Sequence, residues 1–209
     1  ITSPRNSEGK TTTAVNTAVT LAQSYGKGVI IDADMRKPRL HKIFDVDNSN
    51  GLSAFLTGNV EFGDSLIQRT KAANLDIIPS GIIPPNPSEL LSSNHMRDLL
   101  SRLFPLYSFI IIDSPPVLGL SDALIISAIT DGVIMVVKAG ETPRDAAVQT
   151  RKLLQGVNAK ILGVVLNGIQ ESDLKYGSYS YYYSYAYYYD EDNNSNQGSK
   201  KRGKKRDSV

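Results

Sequence analysis

Short aliphatic runs recur along the chain and are separated by segments with a helical pattern. The runs are Val29–Ile31, Leu75–Ile78, Phe109–Ile112, Val133–Val137 and Ile161–Leu166. Their brevity and continuous apolar character are typical of parallel strands that are buried on both faces. Alternation of such strands with helices predicts an α/β fold with a doubly wound, mostly parallel sheet and helices on both faces. Ligands of such sheets bind at the carboxyl ends of the strands, so functional residues are expected directly after each run.

Three of the intervening segments carry signals for the start or end of a helix. In the first segment an apolar stripe is made by Val15, Ala18, Val19 and Ala22. This helix is predicted to end at Gly26 in a left-handed cap. The segment Asn86-Pro87-Ser88-Glu89 supplies an N-cap, a proline at the first helical position and an acidic residue in the first turn. Thr142-Pro143 repeats this arrangement, and Gly156 is expected to close the helix that follows.

Length and composition limit the class of protein. A chain of 209 residues with 41% hydrophobic residues predicts one folded domain, residues 1–170, followed by a flexible tail, residues 171–209. The absence of cysteine excludes disulfides, thiolate metal sites and cysteine nucleophiles. No run approaches the roughly eighteen apolar residues of a membrane-spanning helix, and no apolar stretch follows a positively charged segment of the leader type, so the sequence predicts a soluble protein. Because the chain opens at Ile1, directly on a functional loop, we expect further sequence before it.

The predicted tail is dominated by tyrosine. Nine of the eleven tyrosines are Tyr176, Tyr179, Tyr181, Tyr182, Tyr183, Tyr185, Tyr187, Tyr188 and Tyr189. Only Ser, Ala and Gly separate these rings, a pattern that suits neither a strand nor an amphipathic helix. Exposed phenols in such a segment can stack on a partner, bind a ligand or be modified, and composition alone leaves these readings open. Six positive charges follow within residues 200–206. Such a run is usually just solvated, and the alternative is non-specific contact with anionic lipid or nucleic acid.

The segment from Ser3 to Thr12 resembles a phosphate-binding P-loop and runs into the first predicted helix. Such a loop needs glycine for backbone N–H groups to surround a phosphate, lysine for the β- and γ-oxygens, and a hydroxyl for Mg²⁺. Gly9, Lys10 and Thr11 supply these functions. The residues predicted to contact nucleotide are Ser7, Glu8, Gly9, Lys10, Thr11 and Thr12. The sequence departs from the usual pattern at Pro4, where the first glycine is expected.

Aspartates follow two of the predicted strands. Asp32 and Asp34 come after the run at Val29–Ile31, and Asp113 comes after the run at Phe109–Ile112. Three carboxylates are therefore expected at the edge of the sheet that carries the phosphate loop. Burial of acidic groups is costly unless a cation or a hydrogen-bond network compensates, and Mg²⁺ bound between these carboxylates and phosphate oxygens would do so. The simpler alternative is that these aspartates cap the helices that follow.

Four further motifs narrow the class of nucleotide enzyme. They are Asp32–Pro38, Pro84–Leu91, Asp113–Pro116 and Leu120–Ala123. Together with the phosphate loop and the terminal tyrosines, they resemble the bacterial protein-tyrosine kinases of capsule and exopolysaccharide production. The resemblance covers residues 1–189 and implies a P-loop kinase domain of the NTPase type that uses ATP and Mg²⁺.

The resemblance also implies roles for individual residues. Lys10 and the loop amides would hold the phosphates, while Thr11 and Asp113 would organise Mg²⁺. Asp34 would support the metal through its water shell, and Asp32 would accept the proton of the tyrosine hydroxyl. The division of roles between Asp32 and Asp34 stays open. Asn167, after the last strand, is a candidate for recognition of adenine, and a strand-end turn is the alternative.

Predictions are also made for two arginines, the two histidines and the two tyrosines outside the tail. Arg36 and Arg39 are assigned either to phosphate or neighbour contacts or to surface ion pairs. His41 and His95 lack partners at metal-ligand or triad spacing and are predicted to be ordinary surface or loop residues. Tyr25 and Tyr107 fall within the apolar pattern and are predicted to be packing residues.

The leading hypothesis is an autokinase that phosphorylates the nine tail tyrosines of neighbouring copies. The resemblance implies a cyclic homo-oligomer, a separate transmembrane activator of the polysaccharide co-polymerase type, and other tyrosine-containing protein substrates. The predicted location is the cytoplasm, at the inner face of the membrane through that partner, with no specific nucleic acid bound.

Two other functions are weighed against the kinase. A Min/Par-like site-positioning ATPase shares the deviant loop and paired aspartates, but residues 5–10 lack its signature lysine and glycine pair. It also leaves the tyrosines unexplained. A non-catalytic module that binds polysaccharide or nucleic acid through its aromatic and basic tail leaves the three aspartates unexplained.

Overall fold

The computed structural model describes residues 1–170. All nine tail tyrosines and the basic run at 200–206 lie outside the described residues. Ile1–Asn167 form one compact unit. Within residues 1–170, no helix is both long and apolar enough to cross a membrane.

The elements alternate as the sequence pattern predicts. The helices are α1 (Lys10–Tyr25), α2 (Leu40–Phe44), α3 (Leu52–Leu56), α4 (Pro87–Ser92), α5 (Asn94–Leu103), α6 (Asp122–Ser127) and α7 (Arg144–Gly156). The strands are β1 (Gly28–Asp32), β2 (Gln68–Arg69), β3 (Leu75–Ile78), β4 (Phe109–Asp113), β5 (Val133–Lys138) and β6 (Ile161–Asn167). Every predicted strand is present, and only β2, a polar pair without an aliphatic run, was not predicted.

The strands form two groups joined by the first residues of the chain. One sheet has the order β2-β3-β1-β4, in which β1 is parallel to both β3 and β4 and β2 is antiparallel to β3. The other pairs β5 with β6 in parallel. Ile1 accepts a hydrogen bond from Ser114 N of the first group at 3.1 Å, and Thr2 donates its N–H to Ile134 O of the second at 3.1 Å. The predicted phosphate-binding loop follows Thr2. It therefore lies at the carboxyl edge of the strands, between the two groups.

The core lies on both faces of the larger sheet, which confirms the doubly wound prediction. Alternate residues of β1 point to opposite sides, so Val29 and Ile31 pack in one cluster and Ile30 in the other. The first cluster includes residues of α3, α4, α5 and α6, and the second those of α1 and α2. The prediction of burial is wrong for β6, where Leu162 is 61% exposed and Val164 is 56% exposed.

Three predicted helix boundaries need correction or refinement. Gly26 follows α1 with φ +100° and ψ −159°, so its φ is positive but it is not a left-handed helical cap. Thr142 is not the N-cap of α7, because Pro143 occupies that position. Asn86 is the N-cap residue of α4 with Pro87 next to it, but its side chain donates to Glu89 rather than accepting from a backbone N–H.

The two isolated tyrosines differ from each other. Tyr107 is buried, as predicted, and donates its hydroxyl to Asp76 Oδ2 at 2.8 Å. Tyr25 is 72% exposed at the end of α1, so the prediction that it packs in the core is wrong. His41 is half-buried on α2 and His95 is exposed on α5, and His95 Nδ1 lies 3.0 Å from Leu56 O.

Candidate active site

The phosphate-binding loop is shaped by two residues with positive φ. Ser7 has φ +64° and Gly9 has φ +95°, and α1 begins at Lys10 immediately afterwards. The departure at Pro4 does not disturb the entry to the loop. Val117 N donates to Ser3 O at 2.9 Å and Leu118 N donates to Pro4 O at 3.2 Å, so backbone hydrogen bonds hold this segment without a glycine.

Glu8 is buried within the loop, and both of its carboxylate oxygens are used. Arg5 N donates to Oε2 at 2.7 Å, and the hydroxyl of Thr142 donates to Oε1 at 2.6 Å. The same hydroxyl accepts the N–H of Lys138 at 2.7 Å. Glu8 therefore ties the loop to the connection between β5 and α7 through its carboxylate. Contact of Glu8 with nucleotide stays a prediction. Sequence reasoning missed Thr142 because the residue resembles a helix cap.

Asn167, at the end of β6, also contacts the phosphate-binding loop. Its Nδ2 donates to Glu8 O at 3.0 Å. A side chain at position 9 would collide with this amide, because a Cβ built on Gly9 would lie 1.9 Å from Asn167 Nδ2. Gly9 is thus required both for its positive φ and for this close approach. The amide supports the loop in this structure, and recognition of adenine stays a prediction.

Lys10 and Asp34 form an ion pair at the mouth of the site. Lys10 Nζ lies 3.1 Å from Asp34 Oδ2, and both side chains are largely buried. Asp34 Oδ1 accepts the backbone N–H of Lys37 at 3.0 Å. The pair therefore holds the lysine near the loop and connects it to the segment that follows β1.

Asp32 is fully buried at the end of β1. Its Oδ2 accepts the N–H groups of Arg39 at 3.1 Å and Leu40 at 3.0 Å, whereas Oδ1 has no hydrogen-bond partner within residues 1–170. Burial raises the pKa of Asp32 to about 7, and the backbone hydrogen bonds only partly oppose this effect. The nearby charges of Asp113 and Asp34 raise the pKa further. A carboxyl with a raised pKa and a free oxygen has the properties of a proton acceptor near neutral pH.

Asp113 lies beside Asp32 on the neighbouring strand, since the two residues are partners in the register of β1 and β4. It is buried, and its Oδ1 also lacks a partner in the described part of the chain. Burial raises the pKa of Asp113, while the charge of Lys10 and the hydroxyl of Thr11 lower it. Residues 1–170 contain no cluster of three acidic, histidine or cysteine side chains that could hold a metal alone. The donor set fits Mg²⁺, which is usually bound by one or two carboxylates together with phosphate oxygens.

A cavity opens at this edge of the sheet. It is lined by Asn6, Ser7, Gly9, Lys10, Thr11, Thr12, Asp34, Lys37, Arg39 and Ile43. The structure thus brings together most of the predicted loop residues and Asp34, places Glu8 and Asn167 behind the loop, and buries Asp32 and Asp113. Lys37 and Ile43 were not predicted as site residues. A larger, mainly aliphatic cavity lies between β4 and β5 and contains none of the predicted site residues.

Arg36 forms an ion pair rather than lining this cavity. Its Nε donates to Asp122 Oδ2 at 2.7 Å and its Nη2 donates to Asp122 Oδ1 at 3.2 Å. Ser88 Oγ also donates to Asp122, whose side chain is 1% exposed. Three of the sequence motifs therefore meet here, because this network joins the loop after β1 to the first turns of α4 and α6.

Relatives of this chain include several named tyrosine-protein kinases. The family model described as "AAA domain" matches residues 5–161. Tyrosine-protein kinase YwqD of Bacillus subtilis is 39% identical over 181 residues, which are 87% of this chain and 75% of YwqD. Putative tyrosine-protein kinase CapB of Staphylococcus aureus is 38% identical over 87% of this chain and 78% of CapB. The crystal structure of the chimerical protein CapA2B2 superposes with a TM-score of 0.78 at 40% identity, over 81% of this chain and 75% of that one.

Site-positioning ATPases are more distant. A plasmid partition protein from Borrelia burgdorferi superposes with a TM-score of 0.63 at 24% identity, over 84% of this chain and 83% of that one. This likeness shows the shared P-loop NTPase-like fold alone.

Proposed function

The chain belongs to the bacterial tyrosine-protein kinases, and from this membership we propose that it phosphorylates the C-terminal tyrosines of neighbouring copies. It is a protein-tyrosine kinase with a role in capsular or exopolysaccharide production. The observation that carries the proposal is a phosphate loop next to two buried aspartates, each with one oxygen that has no partner among residues 1–170. We propose ATP and Mg²⁺ as the cofactors, and the nine tyrosines of residues 176–189 as the phosphoacceptors. The boundary between kinase domain and tail at residue 170 belongs to this proposal.

Phosphoryl transfer needs mainly positioning and neutralisation of charge, and the site residues divide these tasks. When bound, Mg-ATP supplies the phosphoryl group and the cation that neutralises its charge. Lys10 and the loop amides would hold the phosphates, and Thr11 and Asp113 would hold the metal, with Asp34 supporting it through water. Lys10 would then exchange its contact with Asp34 for phosphate oxygens.

Asp32 is the proposed acceptor of the tyrosine proton. Two backbone N–H groups fix its Oδ2, whereas Oδ1, which has no partner in the described part of the chain, is proposed to take the proton. Asp34 is the alternative, because it lines the cavity whereas Asp32 lies behind it. The pH dependence of the rate distinguishes them. If Asp32 is the acceptor, Asp34→Asn lowers the rate but keeps the rise of activity near pH 7. If Asp34 is the acceptor, the residual activity of Asp34→Asn no longer rises there.

The tail reaches a neighbour's site more readily than its own if copies assemble, because assembly raises the effective concentration of the tail. We therefore propose a ring-shaped homo-oligomer with phosphorylation in trans. The family resemblance supports a transmembrane activator of the polysaccharide co-polymerase type and a cytoplasmic location at the inner face of the membrane. Other proteins with exposed tyrosines are proposed as further substrates, and no specific nucleic acid is expected as a partner.

The test is incubation with Mg-ATP and the cytoplasmic segment of the activator, followed by location of phosphotyrosine by mass spectrometry. Label is expected within residues 176–189. Lys10→Met and Asp32→Asn should each abolish it, whereas Lys42→Met, at an exposed lysine outside the cavity, should not. Rapid ATP hydrolysis with unmodified tyrosines would contradict the kinase proposal, and label that survives both site substitutions would refute the assignment of residues.

A further inference from the structure

The cavity at the active site has a basic and apolar rim that the phosphate-binding residues do not account for. This rim consists of Lys37, Arg39 and Ile43. Both cationic side chains are exposed, and neither has a carboxylate partner among the ion pairs of residues 1–170. Ile43 is 50% exposed. Unpaired cations beside an exposed aliphatic side chain provide a surface for a ligand that has both aromatic and acidic groups.

The rim is fixed in position relative to the catalytic carboxylates. Lys37 donates its backbone N–H to Asp34 Oδ1 at 3.0 Å, and Arg39 donates its backbone N–H to Asp32 Oδ2 at 3.1 Å. Asp32, Asp34 and two of the three rim residues therefore belong to one short segment that is tied together by hydrogen bonds. A peptide bound at the rim would be held beside the segment that carries the proposed proton acceptor, and such positioning is a requirement for efficient transfer.

The chain itself contains a segment with complementary chemistry. Asp190, Glu191 and Asp192 directly follow Tyr187–Tyr189, so three acidic residues come immediately after three tyrosines. Tyr176 instead follows Lys175 and is separated from this acidic group by more than a dozen residues. An extended chain advances about 3.3 Å per residue, so a tyrosine close to the acids can enter the site while they contact the rim.

We propose that Lys37, Arg39 and Ile43 form the docking surface for the acidic, tyrosine-rich segment around residues 187–192 of a second copy. Arg39 and Lys37 pair with the acidic residues, and Ile43 packs against a tyrosine ring that is not being phosphorylated. The kinase therefore selects tyrosines that precede acidic residues. This inference rests on the proposed function, because it assigns the substrate segment of that same site.

The test is a crossed comparison of phosphoryl donors and acceptors, with the activator segment and Mg-ATP present. The acceptor is the full chain with Lys10→Met, grown in ¹⁵N medium, so that its phosphotyrosines are distinguished by mass from those of the donor. One form keeps its native tail, and the other carries Asp190→Asn, Glu191→Gln and Asp192→Asn. The donors are the unsubstituted chain, a Lys37→Gln/Arg39→Gln variant, and a matched Lys42→Gln control at an exposed lysine outside the cavity.

The unsubstituted donor should label Tyr187–Tyr189 of the native acceptor about fivefold faster than those of the neutral acceptor, a modest factor because exposed ion pairs are weak. The Lys42→Gln donor should keep this ratio, and the Lys37→Gln/Arg39→Gln donor should reduce it to about one. Any effect of the rim substitutions on nucleotide binding slows both acceptors equally and cancels in the ratio.

Two results would overturn the inference alone: equal labelling of the native and neutral acceptors by the unsubstituted donor, or an unchanged ratio with the rim variant. No label on any acceptor would instead overturn the proposed function. The two failures are therefore distinguishable within one experiment.

Discussion

Buried aspartates lie at both ends of the larger sheet. They differ in how many of their carboxylate oxygens have a hydrogen-bond or ion-pair partner. Near the amino end of β3, Asp76 accepts a hydrogen bond from Tyr107 and lies 2.9 Å from Lys27 Nζ. At the carboxyl end, Asp32 and Asp113 are at least as deeply buried, but Oδ1 of each has no partner within residues 1–170. Burial of a carboxylate is therefore not the mark of a functional site in this protein. What distinguishes Asp32 and Asp113 from Asp76 is a buried carboxylate oxygen without a partner among residues 1–170, which is costly in a folded chain unless a ligand or a proton uses it.

The largest difference between the two ends should appear in catalysis. Asp113→Asn removes a charge proposed to hold Mg²⁺, so we expect the rate of tail phosphorylation to fall by about 10³-fold or more. Tyr107→Phe, at the other end of the sheet, should leave the rate within about twofold of the unsubstituted chain because it changes only structural contacts. Initial rates of phosphotyrosine formation at saturating Mg-ATP measure both effects. Comparable losses in the two variants would contradict the distinction.

The same distinction predicts that ionisation of Asp32, at the carboxyl end of the sheet, lowers the stability of the folded state. The pKa of Asp32 is raised to about 7 from its usual value near 3.8, so the folded state binds more protons between these pH values. Stability should consequently fall as pH rises from about 4 to about 7. Asp32→Asn removes this ionisation, and at 1.36 kcal/mol per pKa unit its stability gain at pH 8 is at most about 4 kcal/mol.

Urea unfolding of Asp32→Asn at pH 4.5 and pH 8, without Mg²⁺, measures this effect. The advantage of the variant over the unsubstituted chain should be large at pH 8 and small at pH 4.5. The matched control is Asp64→Asn, which makes the same chemical change at an exposed aspartate. An advantage of Asp32→Asn that is equal at the two pH values would show that ionisation of this carboxyl is not its cause.

At the other end of the sheet, removal of a hydrogen-bond partner of Asp76 should destabilise the folded state. Burial raises the pKa of the Tyr107 hydroxyl, and its hydrogen bond to Asp76 raises it further, so the group remains a donor throughout the physiological range. Tyr107→Phe leaves Asp76 with one partner fewer, and we expect a loss of about 1–3 kcal/mol in the free energy of unfolding. Tyr25→Phe is the matched control, since Tyr25 is exposed and should tolerate the change. A loss shared by both variants would indicate a general effect of removing a hydroxyl.

The sequence predicts the strands well because each aliphatic run is continuous and ends at a polar residue, as at Val29–Ile31 before Asp32. It also predicts which side chains gather at the carboxyl edge, since parallel strands bring their ends together. Partners distant in sequence were not predictable. Thr142 resembles a helix cap until Glu8, which is 134 residues away, is placed against it. Exposure was also misjudged at Tyr25 and β6, because apolar content alone does not reveal which face is covered.

The smallest expected effect concerns Glu8, a buried acid inside the active-site loop. Both of its carboxylate oxygens accept hydrogen bonds. By the criterion drawn from Asp76 it is a structural residue that positions the loop. Thr142→Val removes the donor to Oε1 and the acceptor for Lys138 N, and thereby loosens the loop. We expect about a fivefold increase in KM for ATP, with kcat at saturating ATP changed less than about twofold, since uniform binding of the nucleotide is affected.

The matched control for Thr142→Val is Thr57→Val, which removes a hydroxyl outside the cavity whose hydrogen bonds within residues 1–170 are to nearby backbone and to Asn59. Both variants should lose up to about 1.5 kcal/mol of stability, the usual net worth of a hydrogen bond, but only Thr142→Val should alter KM. A fall in kcat at unchanged KM would instead place Glu8 among the groups that act in the transition state. Full use of both oxygens would then not identify Glu8 as a structural acid, just as it does not at Asp34, and the contrast between the two ends of the sheet would have to rest on position alone.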